Sequence, residues 1–309
     1  MEKLKKQFKL PSDFRALLKE IHNIIGEDRF ILYGSTPVNL LLNKGSGSIY
    51  DLDIAVPSKN RNIIKKCREK IRRSGFKIII PFRRYYIHKN KAIILIYAQN
   101  KKWFLDVAFL NNLNLIGHFN IETLMFRYPQ MDCVDKYGTL KGIKFKIIKP
   151  IRDLDSENPL LLLGRFLRLC SKYNIPLNKR LHKKVLIILK EKIQKIKMSS
   201  DFYKQAYASF LSSFLKSIIQ STNKKYFIKF LIDLGIFQVL FPEFKEILDI
   251  SKNKIIKDIS RAKTKSQLVI LLNKHLPISK RKLFQNKIKK LALRRWDKED
   301  KKCASYFIN

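Results

Sequence analysis

The sequence predicts an α+β protein in which a mixed sheet with helices on one side is followed by an all-helical second half. Three observations carry that expectation. Apolar runs of strand length cluster between residues 29 and 108. Beyond Pro150 such runs nearly disappear, and apolar residues recur at helical spacing. A chain of 309 residues, 46% hydrophobic, is also long enough to bury two cores. The change of character falls near Lys149-Pro150, giving a first domain over 1–149 and a second over 150–309.

Residues 12–25 open with Ser12-Asp13 as cap and first-turn acid, then place Phe14, Leu17, Leu18, Ile21, Ile24 and Ile25 at helical spacing before Gly26. A strand over 29–34 breaks at Gly34-Ser35, and Thr36-Pro37 opens a short helix from Val38 to Leu42. A second strand covers 50–56, a basic helix over 60–73 stops at Gly75, and β-rich runs occupy 76–81, 92–98 and 102–108. Lys89-Asn90-Lys91 and Gln99-Asn100-Lys101 are predicted hairpin turns, so antiparallel hairpins follow a βαβ-like start. Amphipathic helices are predicted at 156–173, 180–197, 201–220, 224–234, 238–248, 253–262, 266–273 and 279–293.

With 65 Lys and Arg against 25 Asp and Glu, the formal net charge is +40, and a polyanion is the first partner to consider. Drift toward AT-rich codons raises Lys, Ile, Asn and Phe together and accounts for part of the excess. It would raise Glu as well, yet acids stay scarce. From Ser251 to Asn309, 18 Lys and Arg face 4 Asp and Glu. In this stretch Lys282, Lys289 and Lys290 share a side of the predicted helix, with Leu283, Ile288 and Leu291 behind them, and Arg294 and Arg295 follow. These five cations, with Trp296, Tyr306 and Phe307 nearby, form a candidate RNA-binding surface. A solvated tail whose aromatics pack locally is the alternative.

Cys67, Cys133, Cys170 and Cys303 lie far apart with no Cys-x-x-Cys spacing, which argues against a zinc ribbon and a dense disulfide framework. The five histidines show no ligand spacing either. The segment from Met1 to Lys6 lacks the apolar core of a signal peptide, and no apolar run approaches the ~18 residues of a membrane span. A cytoplasmic protein without a membrane partner is expected.

Asp51 and Asp53 stand two residues apart in Ile49-Tyr50-Asp51-Leu52-Asp53-Ile54-Ala55-Val56, so a strand would turn both carboxylates to one face and bury the other. Carboxylates about 7 Å apart along a strand can clamp hard cations. Two such ions ~3.5–4 Å apart stabilise both the attacking and the leaving oxygen of a phosphoryl transfer. Upstream, Gly34 permits close backbone approach, and the turn after Ser35 offers N–H groups to an anion. A solvated strand edge is the alternative for the Asp pair taken alone.

Assembled, these residues resemble the class II nucleotidyltransferase family, the bacterial poly(A) polymerases and CCA-adding tRNA nucleotidyltransferases of the DNA polymerase beta superfamily. Leu32 through Leu42 resembles the family's Gly-Gly-x-Val-Arg-Asp-x-Leu-Leu turn, and Asp51-Leu52-Asp53-Ile54-Ala55 its Asp-x-Asp-x-Ala. Phe104-Leu105-Asp106-Val107-Ala108-Phe109 resembles the strand that carries a further carboxylate opposite that pair. Asp135 to Leu140 is similar to the flexible segment linking head to neck, Glu157-Asn158-Pro159-Leu160 through Arg168 to the neck helix, and Gly235 to Phe244 to a Leu-Phe-Pro-Glu-Leu element of the helical body. The chain departs from the pattern at Asn39-Leu40, at Ile116 to Glu122, and in the neck, where Asn158 stands for Asp and Leu161 for a base-reading Arg.

The resemblance implies a polymerase-beta-like nucleotidyltransferase head followed by a helical neck and body. It implies that Asp51, Asp53 and Asp106 ligate magnesium and catalyse attack of an RNA 3′-hydroxyl on the α-phosphate of a nucleoside triphosphate. Gly34 and Ser35 would hold phosphates, Glu157 and Asn158 would face the nucleotide, and Arg165 and Arg168 would substitute for the missing Arg. For Asp106 a structural hydrogen-bonding role stays open, and for both arginines a salt-bridged or phosphate-facing surface role. Two other functions stay open: a catalytically weakened or inactive RNA-binding protein of the same fold, and a small-molecule nucleotidyltransferase, which the long basic second half disfavours.

Overall fold

The computed structural model describes residues 12–25, 30–41, 51–57, 61–78, 94–99, 104–109, 117–155, 157–195, 201–293 and 298–307. The chain divides into two compact units, Met1–Gly142 and Ile143–Asn309.

In the first unit, helix α1 (Ser12–Ile25) leads into β1 (Ile31–Tyr33), α2 (Ser35–Leu41), β2 (Asp51–Val56) and α3 (Arg61–Arg73). Strands β3 (Lys77–Ile78), β4 (Ile94–Gln99), β5 (Phe104–Phe109), β6 (Met125–Arg127) and β7 (Asp132–Val134) follow, and α4 (Thr139–Lys144) straddles the division. Among the described residues the strands form one seven-stranded mixed sheet in the order β3-β4-β5-β2-β1-β6-β7. Only β2 and β5 run parallel among these pairs.

The βαβ-like start is not formed, because β2 lies antiparallel to β1. Helix α2 has seven residues and spans only ~10 Å at about 1.5 Å per residue, and the chain re-enters the sheet at the end it left. Strands β6 and β7, which extend the sheet beyond β1, carry no sequence signal, since three residues are too few to display alternation. The predicted turn at 89–91 lies outside the described residues, as do Asn100 and Lys101. Strands β4 and β5 do pair antiparallel.

Alternation along the central strands gives the sheet two unlike faces. Leu52, Ile54, Val56, Leu105, Val107 and Phe109 point to one, where Leu18 and Ile21 of α1 and Cys67 and Ile71 of α3 close the core over them. On the other face Ile31, Ala55, Ala108 and Met125 form a shallower cluster with Tyr33. Ala55 and Ala108 stand on the face that carries the carboxylates described below, and both are buried.

The second unit is built from α5 (Pro159–Lys172), α6 (Arg180–Gln194), α7 (Asp201–Gln220), α8 (Lys224–Asp233), α9 (Ile236–Leu240), α10 (Lys245–Ser260), α11 (Lys265–His275), α12 (Ile278–Lys289) and α13 (Lys298–Ser305). Gly164 lets α5 lie close to α7: a Cβ there would stand 3.2 Å from Ser213 Cβ and 3.3 Å from the Phe210 ring. Phe210, Phe214, Phe237, Phe241, Phe244 and Phe284 fill the core. The two helices predicted at 238–248 and 253–262 are instead α9, a 3-10 turn at Pro242–Phe244, and one long α10 kinked at Ser251.

Helix α13 has no counterpart among the predicted helices. Its charge run reads as solvated, but Asp300, Cys303 and Ala304 make a buried stripe. Asp300 Oδ1 accepts from Lys265 Nζ at 2.8 Å, and Lys265 also reaches Ser212 Oγ at 3.2 Å, joining α13, α11 and α7. All four cysteines are free. Among the described residues no helix is long and apolar enough to cross a membrane.

Candidate active site

The candidate site grows from one row across the second face of the sheet. In register, Tyr33 of β1 pairs with Asp53 of β2, and Asp53 pairs with Asp106 of the parallel strand β5. Their neighbours Leu52, Ile54, Leu105 and Val107 are buried, so the pleat commits both aspartates to the opposite face, where each is half-buried. Strands ~4.8 Å apart bring the two carboxylates side by side. Oδ1 of Asp106 is itself buried. The sequence pairs Asp51 with Asp53 and the resemblance adds Asp106; strand pairing brings Asp106 beside Asp53 across more than fifty residues.

At the end of β1 the chain turns through Gly34, at φ +74°, into α2, seated by buried Thr36, Val38 and Asn39. A Cβ on Gly34 would stand 2.1 Å from Asp53 Oδ2. Both the backbone conformation and the space require glycine. Ser35 begins α2 beside it and is half-buried.

Asp51 opens β2, its backbone in register with Phe104, and its side chain lies outside the described residues. Among the described residues no group of three or more His, Cys, Asp or Glu is arranged to hold a metal ion. The donor set at Asp53 and Asp106 is nonetheless all-oxygen and anionic, which suits a hard divalent cation such as magnesium.

Over residues 117–122, where the chain departs from the pattern it resembles, and on to residue 140, polar side chains bond to nearby backbone groups. Glu122 Oε2 accepts from the amides of His118 at 3.1 Å and Phe119 at 3.3 Å. Thr123 and Thr139 each donate to the Asn120 carbonyl at 2.7 Å. Asp135 accepts from the amides of Thr139 at 2.6 Å and Leu140 at 3.1 Å, capping α4.

The chain shares its fold with solved CCA-adding enzymes. An apo CCA-adding enzyme aligns with a TM-score of 0.60 at 13% identity over 93% of this chain and 68% of that one. A CCA-adding enzyme in complex with CTP aligns at 0.57 and 13% identity over 96% and 67%. A tRNA-processing enzyme in an apo form aligns at 0.58 and 14% identity over 93% and 79%. No family model matches the sequence, and no curated protein does.

The remaining predicted residues lie in the second unit. Asn158 is the N-cap of α5, its Oδ1 accepting from the Leu160 amide at 2.9 Å, so that oxygen is committed to the helix. Glu157 is half-buried, and one turn apart on α5 stand half-buried Arg165 and exposed Arg168.

In the basic C-terminal stretch the expected apolar backing is corrected. Leu283 is 53% exposed, and the buried stripe runs through Phe284, Ile288 and Leu291, as a 3.6-residue repeat requires. Lys287 falls on that stripe and pairs with buried Glu243 at 2.6 Å. Lys280 pairs with Glu246 at 2.6 Å, and Arg281 Nε donates to the Leu276 carbonyl at 3.0 Å. Lys282 is exposed and Lys289 half-buried, while the Lys290 ammonium stands 5.2 Å from the Tyr207 ring centroid. Arg294 and Arg295 lie outside the described residues.

Proposed function

We propose that this protein is a template-independent RNA nucleotidyltransferase, adding AMP, or CMP and AMP, from nucleoside triphosphates to RNA 3′ ends. The observation that supports it most is the register-opposed pair Asp53 and Asp106 beside the Gly34-Ser35 turn, in a fold shared with CCA-adding enzymes, one of them solved with CTP.

In this proposal Asp53 and Asp106 hold magnesium, with Asp51 one pleat earlier on β2 completing the carboxylate set. Bound magnesium would acidify the attacking 3′-hydroxyl and offset charge on the phosphates. The chain's own residues orient the reactants. Gly34 lets a triphosphate approach the backbone, and the Ser35 amide and hydroxyl donate to its oxygens. Arg165 and Arg168 contribute charge along α5, while Lys282, Lys289, Lys290, Arg294 and Arg295 hold RNA phosphates.

Incubating purified protein with magnesium, total RNA and each labelled triphosphate in turn, followed by a gel, tests the reading. Extension lost in Asp53→Ala is the expected result; no extension with any triphosphate overturns it. A second reading, an RNA-binding protein with weakened or lost catalysis, is favoured by the Asn158 side chain serving as a helix cap in place of a base-reading acid. Retarded RNA without extension would support that second reading.

A further inference from the structure

The turn between α4 and the second-unit helices is fixed at several points. Lys146 sits at φ +57°, a left-handed conformation that costs a residue with a side chain about 1 kcal/mol or more. Its amide donates to the Ile143 carbonyl at 3.3 Å and its ammonium to the Tyr173 carbonyl at 2.7 Å. The Lys179 ammonium donates to the Phe145 carbonyl at 2.6 Å, and the Ile148 amide to Nε2 of buried His182 at 2.9 Å. What this bracing presents is an aromatic ring in water. Phe145 is 57% exposed, with the Lys144 ammonium 5.7 Å from its ring centroid.

A single exposed apolar side chain needs no explanation. One held on a strained, braced turn in a stretch where cations outnumber acids four to one does. Between Ile143 and Lys190 the chain carries twelve Lys and Arg against three acids, Asp153, Asp155 and Glu157. Of these, Lys144 adjoins the ring, and exposed Arg180 and Lys183 stand on the first turn of α6, beside the Lys179 and His182 that grip the turn. A rigid aromatic face among cations is the arrangement that stacks an unpaired base while pairing with the phosphates on either side. A duplex keeps its bases stacked on one another and offers such a ring nothing.

We infer that the Phe145 turn is a stacking site for a base of single-stranded RNA, whose flanking phosphates are held by Lys144, Arg180 and Lys183. This rests on RNA being the partner and is independent of catalysis. The test is fluorescence anisotropy with a labelled 12-nucleotide oligoribonucleotide, single-stranded or annealed to its complement, on the full chain.

Phe145→Leu keeps an apolar side chain at an exposed position and removes the π face. It should weaken single-strand binding about tenfold and leave duplex binding and the melting temperature unchanged, while Phe145→Trp restores affinity. Arg180→Gln with Lys183→Gln should reduce the salt slope by ~0.7 for each phosphate no longer neutralised. Unchanged single-strand affinity in Phe145→Leu overturns the inference. So does an equal loss on the duplex, which would make the patch a phosphate surface without stacking. Phe145-dependent binding by a protein that extends no RNA would sink the transferase reading alone; extension with Phe145-independent binding would sink only the stacking site.

Discussion

The missing Cβ of Gly34 and the carboxylate of Asp53 occupy the same space: a methyl group at residue 34 would lie 2.1 Å from Asp53 Oδ2. Gly34→Ala therefore has two effects. It places an alanine at φ +74°, which costs about 1–2 kcal/mol, and it pushes the carboxylate out of its row. Displacement of a reacting group by about 1 Å costs ~100-fold in rate. We expect a modest fall in melting temperature and a loss of 3′-end extension of at least that size. Activity equal to wild type would show that the position of Asp53 does not depend on the glycine.

Asp53 and Asp106 are like charges opposite one another on adjacent strands. Removing one relieves repulsion without opening the core. Asp53→Asn and Asp106→Asn should thus melt at or above the wild-type temperature, while losing more than about tenfold in extension rate, or ~1.4 kcal/mol of barrier. A variant that loses activity by unfolding would contradict this, and so would one that retains activity.

Lys287 and Lys282 lie five residues apart in one basic run but do different work. Lys287→Gln leaves buried Glu243 without its ion-pair partner and should destabilise by about 3 kcal/mol in urea titrations. Lys282→Gln, exposed, should stay within ~0.5 kcal/mol of wild type. Replacing Lys282 and Lys289 together should instead flatten the salt dependence of RNA binding by ~0.7 to 0.9 for each phosphate that the two lysines neutralise.

His182 accepts from the Ile148 amide through Nε2, while its Nδ1 lies 2.7 Å from the Pro176 carbonyl. That geometry fits the neutral ring with its proton on Nδ1, and burial pushes the imidazole below the usual histidine value of 6.5. The unfolded chain then binds a proton that the folded one refuses. Stability from this group is full above pH 6.5 and is lost as the pH falls from there toward the folded value. His182→Leu should be less stable than wild type at pH 7.5, and the gap should narrow at pH 5. A gap independent of pH would show that the ring does not titrate.

What the sequence determined by itself was local. The Asp51-Leu52-Asp53 alternation, the Gly34-Ser35 break and the helical spacing of Leu160 to Leu169 each rest on neighbours within one turn or one strand, so they were legible as α+β and as a candidate site. Strand direction was not, because strand, helix and strand read alike whether the chain returns parallel or antiparallel. Nor were β6 and β7, three residues each, whose pairing with β1 and with each other supplies what their patterns lack.

Spacing did not oppose Asp106 to Asp53; the resemblance implied it and the β2–β5 register carries it, since a strand's partner is chosen by sheet packing. Only the tertiary structure sorted the lysines, burying Lys265 against Asp300, half-burying Lys287 against Glu243 and setting Lys290 over the Tyr207 ring. A lysine reads the same in sequence wherever it points; the acid or aromatic it meets comes from a distant helix or a turn, and only folding brings the two together.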